Sequence, residues 1–279
     1  MRKSLFWVDS YGNVTSSGDL TLPVYSITKM LIAFAILKLN VPLSTRIEEW
    51  IDREICSHKI TVGQLLNHSS GLTDYGALPE YHAAIKSGHL WDDSDFAKHT
   101  LHQPLLFQPG TSFAYSNPGY WLLKEILIRE SNQTFGTTLQ KLIFTPLEMN
   151  SAYVAEDQFA EDLPWYPAAW VWHGLVMANA QDIVRFLTEL DPARHVANLA
   201  KVGSAPRPWQ NPHYGNGVMV EPDHWYGHNG GGPGYTASAF HFVKEGITGC
   251  LLRTLSSDES ENSDPAMQDL FKHVEVDYS

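Results

Sequence analysis

The ten residues from Met30 to Leu39 are apolar at every position but Lys38, the longest such run in the chain. A helix that is apolar all round is a buried helix, so any fold must wrap other elements about this segment. Asn40 and Pro42 end it. Just before it, in Tyr25-Ser26-Ile27-Thr28-Lys29, a serine and a lysine stand three residues apart. On a helix that spacing puts both side chains on one face. Ser26 then lies at the helix mouth, near free N–H groups and the positive end of the macrodipole. Lys29 is drawn into apolar surroundings, which lower its pKa. A serine beside a lysine that can give up its proton is an activated nucleophile. A serine N-cap followed by a surface lysine would show the same pattern, so the pair needs support from elsewhere in the chain.

The rest of the chain reads as sheet, helices, sheet. Leu5–Val8 is a strand, Asp9 to Asn13 a turn, and Val14-Thr15 the start of the returning strand. Arg46 to Ile55 is a short amphipathic piece. Thr61 to Asn67 is a helix whose Thr61 and Gln64 match a capping box. Further helices are expected near Glu80–Lys86 and Asp93–His99, over Tyr120–Glu130, Thr137–Phe144 and Ala180–Leu190, and at Pro265–Val274. Phe113 to Gly119 reads as a loop because of Pro118 and Gly119, and Ala152 to Pro167 shows no periodicity. Gly215–Glu221, Trp225–Asn229, Tyr235–Val243 and Ile247–Thr254 read as short strands, with a hairpin turn at Lys244-Glu245-Gly246. The expected fold is therefore α+β: an antiparallel sheet built from both chain ends, flanked by helices, with a helical subdomain inserted between them. Residues 1–279 are expected to form a single catalytic domain. Its sheet part covers about 1–25 and 206–279, and its mainly helical part about 26–205.

Composition closes off several classes. Hydrophobic residues at 43% and aromatic residues at 12% belong to a globular chain. The 19 Lys and Arg against 31 Asp and Glu leave a net charge of −12, which opposes nucleic-acid binding and docking on an anionic membrane. The N-terminal apolar stretch runs only from Leu5 to Val8 before Asp9, too short for a signal peptide, and no run reaches transmembrane length. A cytoplasmic protein is the expectation. The residues leave open whether Cys56 and Cys250 pair, although Cys250 reads as a small buried hydrophobe. His99-x-x-His102 is the one close histidine pair of note, and no His-Glu-x-x-His accompanies it. Neither a zinc site nor any cofactor is expected. A Gly-x-Ser-x-Gly elbow is absent, which disfavours an α/β-hydrolase.

Support for Ser26 and Lys29 comes from two further motifs in chain order, Tyr115-x-Asn117 and His228-x-Gly230. With their flanks, Leu65 to Leu72, Pro109 to Tyr120, Thr145 to Met149 and Gly227 to Gly234, the chain resembles the serine β-lactamase and penicillin-binding-protein-like superfamily. The likeness runs over about residues 5 to 275 and is to the class C-like branch. That branch holds class C β-lactamases, D-alanyl-D-alanine carboxypeptidases, D-aminopeptidases and carboxylesterases.

The resemblance implies an acyl-enzyme mechanism. Ser26 is the nucleophile, and Lys29 and Tyr115 form the acid/base pair, with either as base. Asn117 orients Lys29 and a substrate amide, His228 and Gly230 line the cleft, and the oxyanion hole comes from the backbone N–H groups of Ser26 and Gly231. Where many relatives carry lysine, this chain has His228, a weaker anchor for a substrate carboxylate. The reading therefore leans to ester or amide hydrolysis. A β-lactamase or D-alanyl-D-alanine carboxypeptidase is the alternative, and a penicillin-binding sensor without turnover is the rival. The partner is a small-molecule ester, amide, peptide or β-lactam, with oligomeric state undetermined. The chain enters at its first strand, where the family usually has a helix, so the closing helix is expected to cover the sheet and the cleft to be shallow. Trp165, Trp170, Trp172, Trp209 and Trp225 are read as packing residues in preference to a substrate wall.

Overall fold

The protein was examined as a computed structural model that describes residues 2–89, 91–156, 166–256 and 264–274. The first hairpin pairs β1 (Lys3–Val8) with β2 (Val14–Ser17), and β3 (Leu22–Pro23) leads to the Ser26 segment. Ser26 sits in a short 3-10 turn, Tyr25–Ile27, and α1 (Thr28–Lys38) follows at once. The side chain of Ser26 therefore caps nothing and its hydroxyl is left for other work. As the apolar run requires, nine of the eleven α1 residues are buried.

The middle of the chain holds α2 (Val62–Leu66), α3 (Pro79–Ser87), α4 (Asp93–His99), α5 (Asn117–Ser131) and α6 (Phe135–Leu139). The capping box on α2 is formed: the Gln64 N–H donates to Thr61 Oγ1 at 3.3 Å and the Thr61 N–H to Gln64 Oε1 at 2.9 Å. Helix α5 starts three residues earlier than expected. Pro118 falls in its first turn, where a missing N–H costs nothing, and Ser116 Oγ accepts the Gly119 N–H at 3.2 Å.

Two strands in this region escaped sequence reasoning. β4 (Tyr153–Ala155) and β5 (Leu175–Ala178) join β3 in a small antiparallel sheet of order β3-β5-β4. β5 is buried at all four positions, so it shows no alternation to read.

After α7 (Ala180–Thr188) and α8 (Pro192–His195) the chain returns to strand with β6 (Ala200–Lys201), β7 (His213–Tyr214), β8 (Met219–Glu221), β9 (Trp225–Gly232), β10 (Tyr235–Phe242) and β11 (Ile247–Thr254), and α9 (Asp264–His273) follows. The expected single strand over Gly215–Glu221 is split. Gly217 turns it at φ +82°, packed so close to α1 that a Cβ would lie 2.3 Å from that of Ala33.

These strands form an antiparallel sheet in the order β2-β1-β11-β10-β9-β8-β7-β6. β1 and β11 pair along their length, Phe6 opposite Cys250, so the sheet is built from both ends of the chain. One face packs on α7 and the Ser26 turn; the other is covered by α9 through Trp225, Phe240, Phe242, Leu270 and Phe271. Cys56 and Cys250 are both free and buried. Trp170, Trp172, Trp209 and Trp225 are packing residues, as expected, and Trp165 lies outside the described residues. Among the described residues no helix is long and apolar enough to cross a membrane, and no cluster of metal-ligating side chains is found.

Candidate active site

Ser26 is half-buried and opens into a cavity of about 290 Å³ between the helical region and the end of β9. Tyr25, on its N-terminal side, holds a left-handed backbone at φ 44°, unusual for a residue with a side chain. Its ring is fixed by a hydrogen bond from its hydroxyl to the Pro233 carbonyl at 2.8 Å, and it lies against Gly232.

Lys29 is fully buried, and its Nζ is 2.9 Å from Ser26 Oγ. The amine also donates to Asn117 Oδ1 at 2.7 Å and lies 3.3 Å from His173 Nε2. Burial holds Lys29 well below the usual lysine range, opposed in part by the negative charge of Asp74. Asp74 does not reach Lys29 directly: it accepts the Asn117 backbone N–H at 2.7 Å and the Asn117 side-chain amide at 3.4 Å. Those two bonds turn Asn117 Oδ1 toward the lysine. Burial raises the Asp74 carboxyl, against the hydrogen bonds from Asn117.

The Tyr115 phenol lies beside Ser26, and Lys29 Nζ lies 5.0 Å from its ring centroid. Burial pushes the phenol well above its ordinary value, opposed in part by the Ser26 hydroxyl, so it stays protonated. His68 holds this residue from both sides. Its ring lies 4.3 Å from that of Tyr115, its carbonyl accepts the Ala114 N–H at 3.0 Å, and its Nδ1 accepts the Ser116 N–H at 3.1 Å.

β9 passes beside the Ser26 turn. A Cβ on Gly230 would lie 2.2 Å from the Val24 carbonyl oxygen and 3.3 Å from Ser26 N, so only glycine allows the approach. Gly231 borders the cavity, and the direction of its backbone follows from the ladder. The Thr254 N–H donates to Arg2, away from β10. Antiparallel alternation then turns Tyr235 toward Gly232, and leaves Gly231, opposite Thr236, with its N–H pointing away from β10. The β8 ladder stops at Gly227, so this N–H faces an open edge beside Ser26.

His228 does not line the cleft, contrary to expectation. Its ring is buried behind Tyr115; Nε2 is 2.8 Å from the Tyr214 hydroxyl, and Nδ1 bonds to the Asn229 carbonyl. Burial lowers its pKa to about 3, so the ring is neutral. It faces the same side of β9 as Gly230, as strand alternation demands, but neighbouring Tyr214 has claimed it. Sequence reasoning missed His173 and Asp74. Asp74 follows the Ser69-Ser70-Gly71-Leu72 turn closely enough to be sought there, whereas a lone histidine before Gly174 carries no local signal. The cavity walls are formed by Tyr25, Tyr75, Tyr81, Tyr166, Ile85 and Val171 together with His82, Asn117 and His173, and no tryptophan, lysine, arginine, aspartate or glutamate lines it among the described residues.

This arrangement joins a serine hydroxyl, a buried amine, a protonated phenol and an outward-facing backbone N–H. A family model described as Beta-lactamase matches residues 6–271, and the chain belongs to that family. It is similar to a D-aminopeptidase of Brucella ovis, 22% identical over 287 residues, covering 94% of this chain and 55% of that protein. The chain thus spans about half the length of that relative. Among solved structures it is similar to a D-stereospecific amidohydrolase from Streptomyces sp., with TM-score 0.79 and 20% identity, covering 96% of this chain and 93% of the other. It is also similar to the D-amino acid amidase from Ochrobactrum anthropi SV3 solved with D-phenylalanine, with TM-score 0.79 and 19% identity over 99% of this chain and 94% of that one. The likeness to these structures is one of fold, and the expected antiparallel sheet with flanking helices is the fold they share.

Proposed function

We propose that this protein is a serine hydrolase that forms a covalent acyl-enzyme at Ser26 and cleaves amide or peptide bonds. The observation that carries the reading is the buried Lys29 amine 2.9 Å from Ser26 Oγ. Burial favours the neutral form of both Lys29 and Tyr115. A neutral amine is a base and a neutral phenol is not, so Lys29 takes the Ser26 proton as Oγ bonds to the substrate carbon. The carbonyl oxygen gains charge and is held by the N–H groups of Ser26 and Gly231. When the tetrahedral intermediate collapses, the bond to the leaving nitrogen breaks and that nitrogen receives a proton through Tyr115, which Lys29 resupplies. Water then repeats the sequence to release the acid. Asn117 orients the lysine, and Gly230 lets β9 approach.

Substrate choice follows from the walls. A lining of tyrosines and aliphatic side chains with His82, Asn117 and His173, but without lysine or arginine, suits an acyl group with an aromatic side chain. It offers no ammonium or guanidinium to a carboxylate, which supports amides over β-lactams. The names of the relatives point to amides of D-amino acids. The test is to offer a p-nitrophenyl ester, D- and L-phenylalanine amide, a chromogenic cephalosporin and a D-Ala-D-Ala peptide, following turnover and the mass of the protein. D-Phenylalanine amide should turn over, the cephalosporin should not, and Ser26→Ala should abolish both turnover and mass gain. Turnover that survives Ser26→Ala would sink the mechanism.

A further inference from the structure

A buried amine that is to act as a base must be aimed. Neutral Lys29 has two N–H bonds and one lone pair, and only the lone pair can receive the Ser26 proton. Three polar atoms surround its Nζ: Ser26 Oγ, Asn117 Oδ1 and His173 Nε2. Asn117 can only accept there, because its amide nitrogen is turned to Asp74. The role of His173 decides what is left for Ser26.

His173 is 3% exposed and borders the Ser26 cavity. Its Nδ1 closes no hydrogen bond, so Nε2, 3.3 Å from Lys29 Nζ, is the ring atom engaged. With its proton on Nδ1, Nε2 presents a lone pair to Lys29. We propose that His173 is a positioning residue for Lys29: it accepts one N–H of the neutral amine, Asn117 accepts the other, and the remaining lone pair points at the Ser26 hydroxyl.

This inference rests on the reading of Ser26 as nucleophile and Lys29 as base. The other charged or titratable groups facing the pair are Asp74, Tyr115 from the loop before α5, Tyr120 and Lys124 from α5, His68 after α2, and His228 from β9. The lowered pKa values of His173 and His228 keep both rings neutral, so neither is a second cation beside Lys29. An acceptor favours the ammonium over the amine, so losing it lowers the pKa of Lys29 further.

The experiment compares His173→Phe, which fills the space without an acceptor, with His173→Gln, whose Oε1 can reach the position of Nε2. His173→Asn, too short to reach Lys29, stands in if the phenylalanine variant does not fold. Each is acylated with p-nitrophenyl acetate, and the rate of the burst is followed against pH alongside KM. For His173→Phe or His173→Asn the acylation rate should fall by about 10- to 100-fold with KM little changed. The acid limb of the profile should move to lower pH, and His173→Gln should restore most of both. A wild-type rate and limb in His173→Phe or His173→Asn would overturn the inference. So would equal losses in all variants with an unmoved limb, the signature of a packing role. Absence of a burst in the wild type, or a burst in Ser26→Ala, would instead overturn the reading of Ser26 itself.

Discussion

The two faces of the large sheet differ in what they bury, although the α9 side also holds Asn229, Ser238 and Arg253. Under α9 the sheet presents Trp225, Phe240, Phe242 and Leu251 to Leu270 and Phe271, and the ring pairs there, such as Phe242 with Phe271 at 4.8 Å, are edge-to-face. On the opposite side, around α1, the buried groups include Lys29, His68, His173 and His228. Burying the first set stabilises the fold. Burying the second costs stability wherever a charged form is suppressed. Burial suppresses charge at His195 and Lys124 as well, but it gathers most of these groups beside Ser26, where perturbed side chains mark a candidate active site. The contrast makes opposite predictions for the two faces.

The largest effect is expected at Lys29. Lys29→Met should lower Ser26 acylation by about 10⁴-fold or more, measured as the burst with an activated ester. Its stability should move the other way. Because the native pKa of Lys29 is depressed, the unfolded chain binds the extra proton between the native and unfolded pKa values, and stability rises with pH through that window. Lys29→Met removes this slope, so the variant should be the more stable at neutral pH. Its advantage should shrink as pH climbs toward the unfolded lysine value. Thermal midpoints of both proteins over that range check the sign.

Next comes the opposite face. Phe271→Ala should cost about 3–5 kcal/mol of stability by denaturant titration, while kcat/KM per folded molecule stays at its wild-type value. A loss of activity in the folded variant would show that the two faces are coupled. Gly230→Ala should act in the reverse sense. The new Cβ meets the Val24 carbonyl and pushes β9 from the Ser26 turn, lowering kcat by about 10²–10³-fold through the displaced N–H of Gly231.

The smallest effect is expected at Asp74. In Asp74→Asn the negative charge that raises the pKa of Lys29 is lost, so the acid limb of kcat/KM should move to lower pH. The disturbed hold on Asn117 should lower the rate by about tenfold. An acid limb that moved to higher pH would contradict the assignment of Lys29 as the base.

What could be read without coordinates was what is local. Ser26 and Lys29 are three residues apart, the Thr61 and Gln64 caps likewise, and the turn at Lys244-Glu245-Gly246 marks the hairpin of β10 and β11. Gly231 and Tyr115 were placed through motif resemblance. His173 joins the site from a distant stretch with no periodic or charge signature, and His228 was misjudged because position on a strand face does not say which neighbour the side chain chooses. β4 and β5 were hidden for a related reason, since neither three residues nor a fully buried run displays a period of two.

The pairing of β1 with β11 bears on the order in which the molecule can be made. A chain emerging from the ribosome exposes Ser26 and Lys29 early, but the strand carrying Gly230 and Gly231 comes near the end, and β1 cannot find its neighbour until β11 has followed. Contacts so distant in sequence form slowly and late. Ser26 and Lys29 are therefore synthesised long before Gly230 and Gly231, and a nascent or truncated chain would hold the serine and lysine without the strand that completes the site.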